Sequence, residues 1–167
     1  MRPCEVIAPD VPIDPDEALE MLDSICRNEK PDLIVGLSLG GFWAQKLRGF
    51  RKILINPEFH VSVFMGTMMG EVKYLSPRRD GAESFFITED IIRRYRLIEE
   101  SEFEGLEPGE IALTRGMFAT EDELCHCYDE FELHYPGQGI RYPGKHLPTY
   151  PEIRDYLLPL AEKDFEK

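Results

Sequence analysis

Cations are scarce in this chain. Its 167 residues carry 19 Lys and Arg against 32 Asp and Glu, a formal net charge of −13. That balance argues against nucleic acid or an anionic membrane surface as a partner, because nothing offsets repulsion from phosphate. Long apolar runs are lacking as well. No stretch is long enough to span a bilayer, and no basic-then-apolar signal segment follows Met1. Cysteine is sparse: the four (Cys4, Cys26, Cys125, Cys127) form no disulfide framework, and a reduced, cytoplasmic setting is expected. Cys125-His126-Cys127 has the residue types of a zinc site. A C-x-C around one histidine lacks the usual second ligand pair, so no metal is expected. Internal repeats, low-complexity segments and linkers are absent from the sequence, and the length suits one domain over residues 1–167 with a proper core.

What stands out is Gly36-Leu37-Ser38-Leu39-Gly40-Gly41, directly after the apolar run Leu33-Ile34-Val35. It reads as strand, G-x-S-x-G, helix. A serine at the tip of so sharp a turn exposes its hydroxyl while its own backbone is strained. Side chains two residues before and after it are expected to collide, which would make Gly36 and Gly40 obligatory. The following helix aims its N-terminal N–H groups at the same spot, with Leu39 N–H as the oxyanion donor. Phe42, Trp43, Ala44 and Leu47 continue a helical pattern that stops near Gly49. The alternatives are an ordinary Gly-rich loop with an incidental serine, or a phosphate cradle. The cradle would need G-x-G-x-x-G or a lysine-serine pair, and neither is present.

The rest of the chain alternates strands with helices. Cys4 to Ala8 reads as a strand closed by Pro9 and Pro12. Asp14-Pro15-Asp16-Glu17 is a helix start, with Leu19, Leu22 and Ile25 or Cys26 as its buried stripe. Lys52 to Ile55 reads as a strand ended by Asn56-Pro57. Two short apolar strands joined by helices imply right-handed crossovers and a parallel sheet. From 58 to 106 the pattern loosens into a lid-like or connecting helical segment, with a methionine-rich stretch at 61–69 suited to an acyl chain or to a partner. Thr114 to Thr120 reads as a strand running into Glu121-Asp122-Glu123, a helix follows around Tyr128 to Leu133, and Gly139 to Tyr142 is a last strand. Thr149 and Glu152 are spaced for a capping box, opening a closing helix with Ile153, Tyr156 and Leu160. The fold class expected is α/β, a three-layer sandwich on a mainly parallel sheet.

In such sheets, functional groups gather beyond the carboxyl ends of the strands. Three ends carry suitable chemistry: Ser38, the acidic cluster and His146, in the chain order serine, acid, histidine. Ser38 is the expected nucleophile, His146 the base, and the acid orients the imidazole. Asp122 is preferred over Glu121 and Glu123 because its shorter side chain suits a tight loop. An acidic cluster is otherwise just a solvated loop. His60, after Asn56-Pro57, is the rival of His146, whereas His126 and His134 read as structural or surface residues.

Gly36 to Ala44, Ile55-Asn56-Pro57, Thr120 to Leu124 and Gly144-Lys145-His146 together resemble the small bacterial proteins assigned as esterases within the α/β-hydrolase superfamily. The resemblance covers most of the chain and is specific in those four patches. It implies a truncated α/β-hydrolase fold with Ser38, Asp122 and His146 as catalytic residues. Members of that family begin with a strand and a His-Gly loop whose N–H completes the oxyanion hole. Here the corresponding strand and loop are lacking before Cys4. The alternatives are that a second copy of the chain supplies the pairing, or that the chain is shortened and its activity impaired; the expectation preferred is that the Val6 strand moves over to pair with the Ile34 strand, so that Pro9-Asp10-Val11 offers a substitute N–H. The function expected is a serine esterase or thioesterase acting on a small-molecule ester or thioester through an acyl-enzyme, with no cofactor. The alternative is a non-catalytic binding protein of the same fold. A homo-oligomer fits either.

Overall fold

A computed structural model describes residues 5–163. In chain order its elements are α1 (Pro15–Glu29), β1 (Ile34–Leu37), α2 (Leu39–Lys46), β2 (Lys52–Ile55), α3 (Val61–Gly66), β3 (Gly70–Lys73), β4 (Ser84–Ile87), α4 (Glu89–Glu99), α5 (Pro108–Leu113), β5 (Thr114–Ala119), α6 (Tyr128–His134), β6 (Gly139–Tyr142), α7 (Tyr150–Glu152), a π-helical turn (Ile153–Leu157) and α8 (Leu158–Lys163). Local chemistry accounts for the helix starts. Asp14 caps α1, its carboxylate accepting the N–H groups of Asp16 and Glu17, with Pro15 at the first helical position. Thr149 and Glu152 form the expected capping box at α7.

β1, β2, β5 and β6 pair in that order, all parallel. Side-chain alternation along the strands divides the core into the outer layers of a sandwich. Ile53, Ile55 and Met117 face Tyr142 and Leu160 on one side, and Leu54 and Phe118 face Ala44, Phe131 and Tyr135 on the other. A third cluster joins α1, α2, α3 and α4 through Ala18, Phe42, Trp43, Val61, Met65, Ile92 and Tyr95.

Residues 58–106 are not wholly helical. β3 and β4 form an antiparallel hairpin apart from the main sheet, with Glu71 opposite Phe86. Its strands are four residues each and interrupted by charge, too short to show alternation in the sequence. Around it, Val61, Met65, Ile87 and Ile92 pack on Trp43, and Met69 stays exposed. Arg94 of α4 is paired with Asp14 and Asp16, tying α4 to the start of α1.

The expected strand at Cys4–Ala8 is not formed. Cys4 lies outside the described residues, and Glu5 to Ala8 is irregular with Val6 77% exposed, so Val6 and Ile34 are not strand neighbours. Pro9 and Pro12 remove two ladder donors. Arg78 takes the carbonyls of Asp10 and Val11 at 3.3 and 3.1 Å, and Arg79 N–H takes the Asp10 carboxylate at 2.6 Å. These bonds hold the segment against the 77–81 turn, and with no strand at Glu5–Ala8 paired to β1 the substitute N–H expected from Pro9-Asp10-Val11 loses its basis. Among the described residues β1 is an edge strand. An apolar groove of about 230 Å³, lined by Ile7, Val11, Leu22, Ile34, Trp43 and Leu47 among others, runs beside it.

Glu102, after α4, is 2% exposed, and its Oε1 has no hydrogen-bond partner among the described residues. Burial, with Glu99 and Glu130 adding to it and Lys46 and Arg48 opposing, pushes its carboxyl up to about 9. The folded state then keeps a proton that the unfolded chain loses near 4.5, so stability falls as pH rises between those values and levels off above the upper one. The slope for one such group is at most about 1.4 kcal/mol per pH unit. Glu102→Gln should match the parent at pH 5 and exceed it at pH 8. Urea midpoints at the two pH values check this, and parallel shifts of both proteins would contradict it.

Candidate active site

Ser38 sits between β1 and α2 with φ 54° and ψ −119°, a positive φ that a β-carbon makes unfavourable. The strain is held in place from both sides. Ser38 N–H donates to Ile55 O at 3.0 Å, continuing the β1–β2 ladder past its end. Its carbonyl accepts Gly41 N–H at 2.8 Å, Phe42 N–H at 3.2 Å and Glu58 N–H at 3.3 Å. Leu39 is the first residue of α2, so the helix leaves its N–H without an intrahelical acceptor.

Two glycines make the turn possible, and only one is of the expected pair. A β-carbon on Gly36 would lie 2.1 Å from Gly40 O, which is backbone and cannot give way. One on Gly40 would meet nothing within 4 Å. The second tight position is Gly41, where it would stand 2.8 Å from Pro57 Cβ. The crowding runs across the crossing of α2 with the β2 loop, a contact between segments that sequence spacing does not reveal.

Asp122 and His146 meet. His146 Nδ1 and Asp122 Oδ2 are 2.8 Å apart, with the carboxylate side chain 2% exposed and the imidazole 13%. A carboxylate only accepts, so the pair places hydrogen on Nδ1 and leaves Nε2 as an acceptor. Asp122 Oδ1 accepts the N–H groups of Leu124 at 2.8 Å and Cys125 at 3.0 Å, closing a tight loop that a glutamate would overreach. Glu121 N–H donates to Gly144 O at 2.9 Å, fastening the acid loop to the histidine loop.

His60, the rival base, is turned elsewhere: its Nε2 lies 2.9 Å from Glu130 Oε2 and its side chain is 60% exposed. His134 stacks on Phe103, with ring centroids 3.8 Å apart. Sequence reasoning gave no role to Glu58, a buried carboxylate that accepts Cys125 Sγ–H at 3.3 Å and His60 N–H at 2.7 Å. Nothing in the sequence marks it. The role of Asn56 was likewise missed, although the strand-ending Asn-Pro was its signal. Asn56 has φ 41°, tolerated by asparagine, and its amide bridges three elements. Oδ1 accepts Ala119 N–H at 2.7 Å, while Nδ2 donates to Tyr142 Oη at 3.1 Å and His146 O at 2.7 Å.

An all-parallel sheet, a strained serine in its strand-to-helix turn, and an acid–histidine pair at later strand ends are the layout of one known fold. The family model for the uncharacterised protein family UPF0227 matches residues 1–114. The chain belongs to UPF0227. Its fold is that of α/β-hydrolases. A protein of Agrobacterium vitis S4 assigned as a hydrolase superposes with TM-score 0.59 at 16% identity, covering 94% of this chain and 70% of that one. A Paleococcus ferrophilus monoacylglycerol lipase gives 0.56 at 15%, covering 89% and 74%. The esterase domain of a Rhodothermus marinus protein gives 0.55 at 14%, covering 88% and 68%. No curated protein matches the sequence. Among the described residues, no helix is long and apolar enough to cross a membrane.

The glycine geometry makes a paired prediction. Gly36→Ala should destabilise by about 3 kcal/mol or more, since backbone must move to admit the methyl. Gly40→Ala, inside α2, should be neutral or stabilise by about 0.5–1 kcal/mol. Thermal unfolding of the two variants side by side checks this, and equal losses would show that the turn is crowded differently.

Proposed function

We propose that the protein is a serine hydrolase that cleaves a small ester or thioester through an acyl-enzyme. The observation that carries this reading is the buried Asp122–His146 bond, at strand ends joined through Asn56 to the strained Ser38 turn. Fold neighbours named as an esterase domain and a monoacylglycerol lipase support it.

In this reading Ser38 Oγ attacks the acyl carbonyl while its proton passes to His146 Nε2. Asp122 stabilises the imidazolium without taking the proton. The carbonyl oxygen becomes an oxyanion, held by Leu39 N–H. Collapse breaks the bond to the alcohol or thiol, which leaves with the proton from His146, and Ser38 keeps the acyl group as an ester. Water then attacks that ester, giving its proton to His146, and the acid leaves as Ser38 is reprotonated. The residues involved need no cofactor for these steps. We extend the reading to a reduced, cytoplasmic protein, in keeping with the unpaired Cys26, Cys125 and Cys127.

The test is labelling with a fluorophosphonate probe, with the adduct read by intact mass. One adduct per chain is expected on the parent and none on Ser38→Ala. Asp122→Asn should keep the fold and lower turnover of an activated acetate or thioacetate ester by about 10³–10⁴-fold, because the imidazole loses its tautomer and orientation. A folded parent that takes no adduct would overturn the reading, leaving the fold to serve as a non-catalytic binding module.

A further inference from the structure

Cys125-His126-Cys127 looks insufficient for a metal as a sequence. The folded chain brings different partners to one of its cysteines. His60, Cys127 and Glu130 each offer a ligand atom, and these atoms lie within 4.8 Å of one another. His60 ends the loop after β2 and precedes α3, whereas Cys127 and Glu130 stand three residues apart at the start of α6, on one face. We propose that His60 Nε2, Cys127 Sγ and a Glu130 oxygen bind one zinc ion, clamping the β2 loop to α6 beside the candidate active site.

Zinc would draw these three side chains together. Bonds of about 2.0 Å to nitrogen and oxygen and 2.3 Å to sulfur place tetrahedral ligands about 3.3–3.5 Å apart. The His60–Glu130 contact of 2.9 Å opens by about half an ångström to admit the ion, and the Cys127 sulfur draws in from within 4.8 Å. The His60 and Glu130 side chains are 60% and 32% exposed, and Cys127 is buried at 5%. The ion would take up solvent at the fourth position.

The ligand set of one thiolate, one imidazole and one carboxylate is a borderline-soft set that suits zinc and disfavours magnesium or calcium. A second mixed cluster among the described residues, Asp122, Cys125 and His146, belongs to the candidate active site.

The experiment uses the full chain after chelator dialysis. Zinc is titrated by calorimetry, and cobalt is added separately to read the near-ultraviolet thiolate-to-cobalt band. One zinc per chain is expected, with that band present. His60→Ala, Glu130→Gln and Cys127→Ser should each weaken zinc binding by about 100-fold or more, exceeding the loss typical of outer-sphere changes. His60 and Glu130 are surface residues, so circular dichroism of those two variants should match the parent. Cys125→Ser and His146→Ala should bind as the parent does. The proposal is overturned by absent zinc binding, by a missing sulfur band, or by affinity lost in Cys125→Ser or His146→Ala instead. None of these readouts depends on whether Ser38 is a nucleophile.

Discussion

The amide of Asn56 is the constraint on which the upper face of this molecule depends. Strands β2, β5 and β6 end side by side, and each end leaves backbone groups that the ladder no longer pairs. Asn56 takes the Ala119 N–H, the Tyr142 hydroxyl and the His146 carbonyl into one buried set of bonds. Its backbone N–H reaches Met117 O at 2.9 Å. A buried donor or acceptor left without a partner costs about 1–3 kcal/mol, so one side chain that satisfies three such groups leaves the loops little freedom. The histidine loop is anchored through its own carbonyl, and the acid loop through Thr120 and Glu121 to Tyr142 and Gly144. Ser38 is tied to the same stretch from the other side, through Ile55 and Glu58. Three segments distant in sequence are thereby held to one frame.

Strain in the serine turn is tolerated because the helix after it is overdetermined. α2 faces two clusters at once: Phe42 and Trp43 pack among α1, α3 and α4, while Ala44 packs against Leu54 and Phe118 of the sheet. Trp43 lies 2% exposed, with ring centroids 4.9 Å from Phe42 and 5.5 Å from Tyr95. Residues 58–106 therefore act on the turn indirectly. The Ser62 hydroxyl and N–H both bond Glu99, fixing α3 to α4, and this pair closes over the aromatic cluster.

Polar groups are also buried where α2 runs into the next strand. Lys52 is 1% exposed, bonded to Leu47 O and to Glu110, both at 2.5 Å. Gln45 Nε2 reaches Glu102 O at 2.8 Å and Tyr135 Oη at 3.0 Å. These contacts make the sheet–helix seam specific rather than merely apolar, since each partner removed would strand the other in a dry site. The anionic surplus of the chain is partly internal: Glu58, Glu110 and Asp122 are buried or engaged beneath the surface.

Much of the fold was legible because it is written locally. Apolar runs bounded by proline and glycine placed β2 and β6 to the residue, and the Asp14 and Thr149 caps located two helix starts from hydrogen bonds made within four residues. The strained turn at Ser38 was legible for the same reason, as was the tight loop at Asp122, whose partners Leu124 and Cys125 are its near neighbours. Where the reading failed, the deciding contact was distant in the chain. Glu5–Ala8 has strand composition but leads into Asp10 and Val11, which Arg78 and Arg79 hold, and the β3–β4 hairpin lacks a pattern long enough to show. Gly41, not Gly40, is the crowded glycine because Pro57 approaches it. Residue types and spacing thus determined which side chains could act. Only the tertiary structure decided which of them meet: His146 with Asp122, and His60 with Glu130 and Cys127. Local propensity acts over a few residues, whereas these pairings depend on how loops far apart in the chain satisfy one another's buried groups.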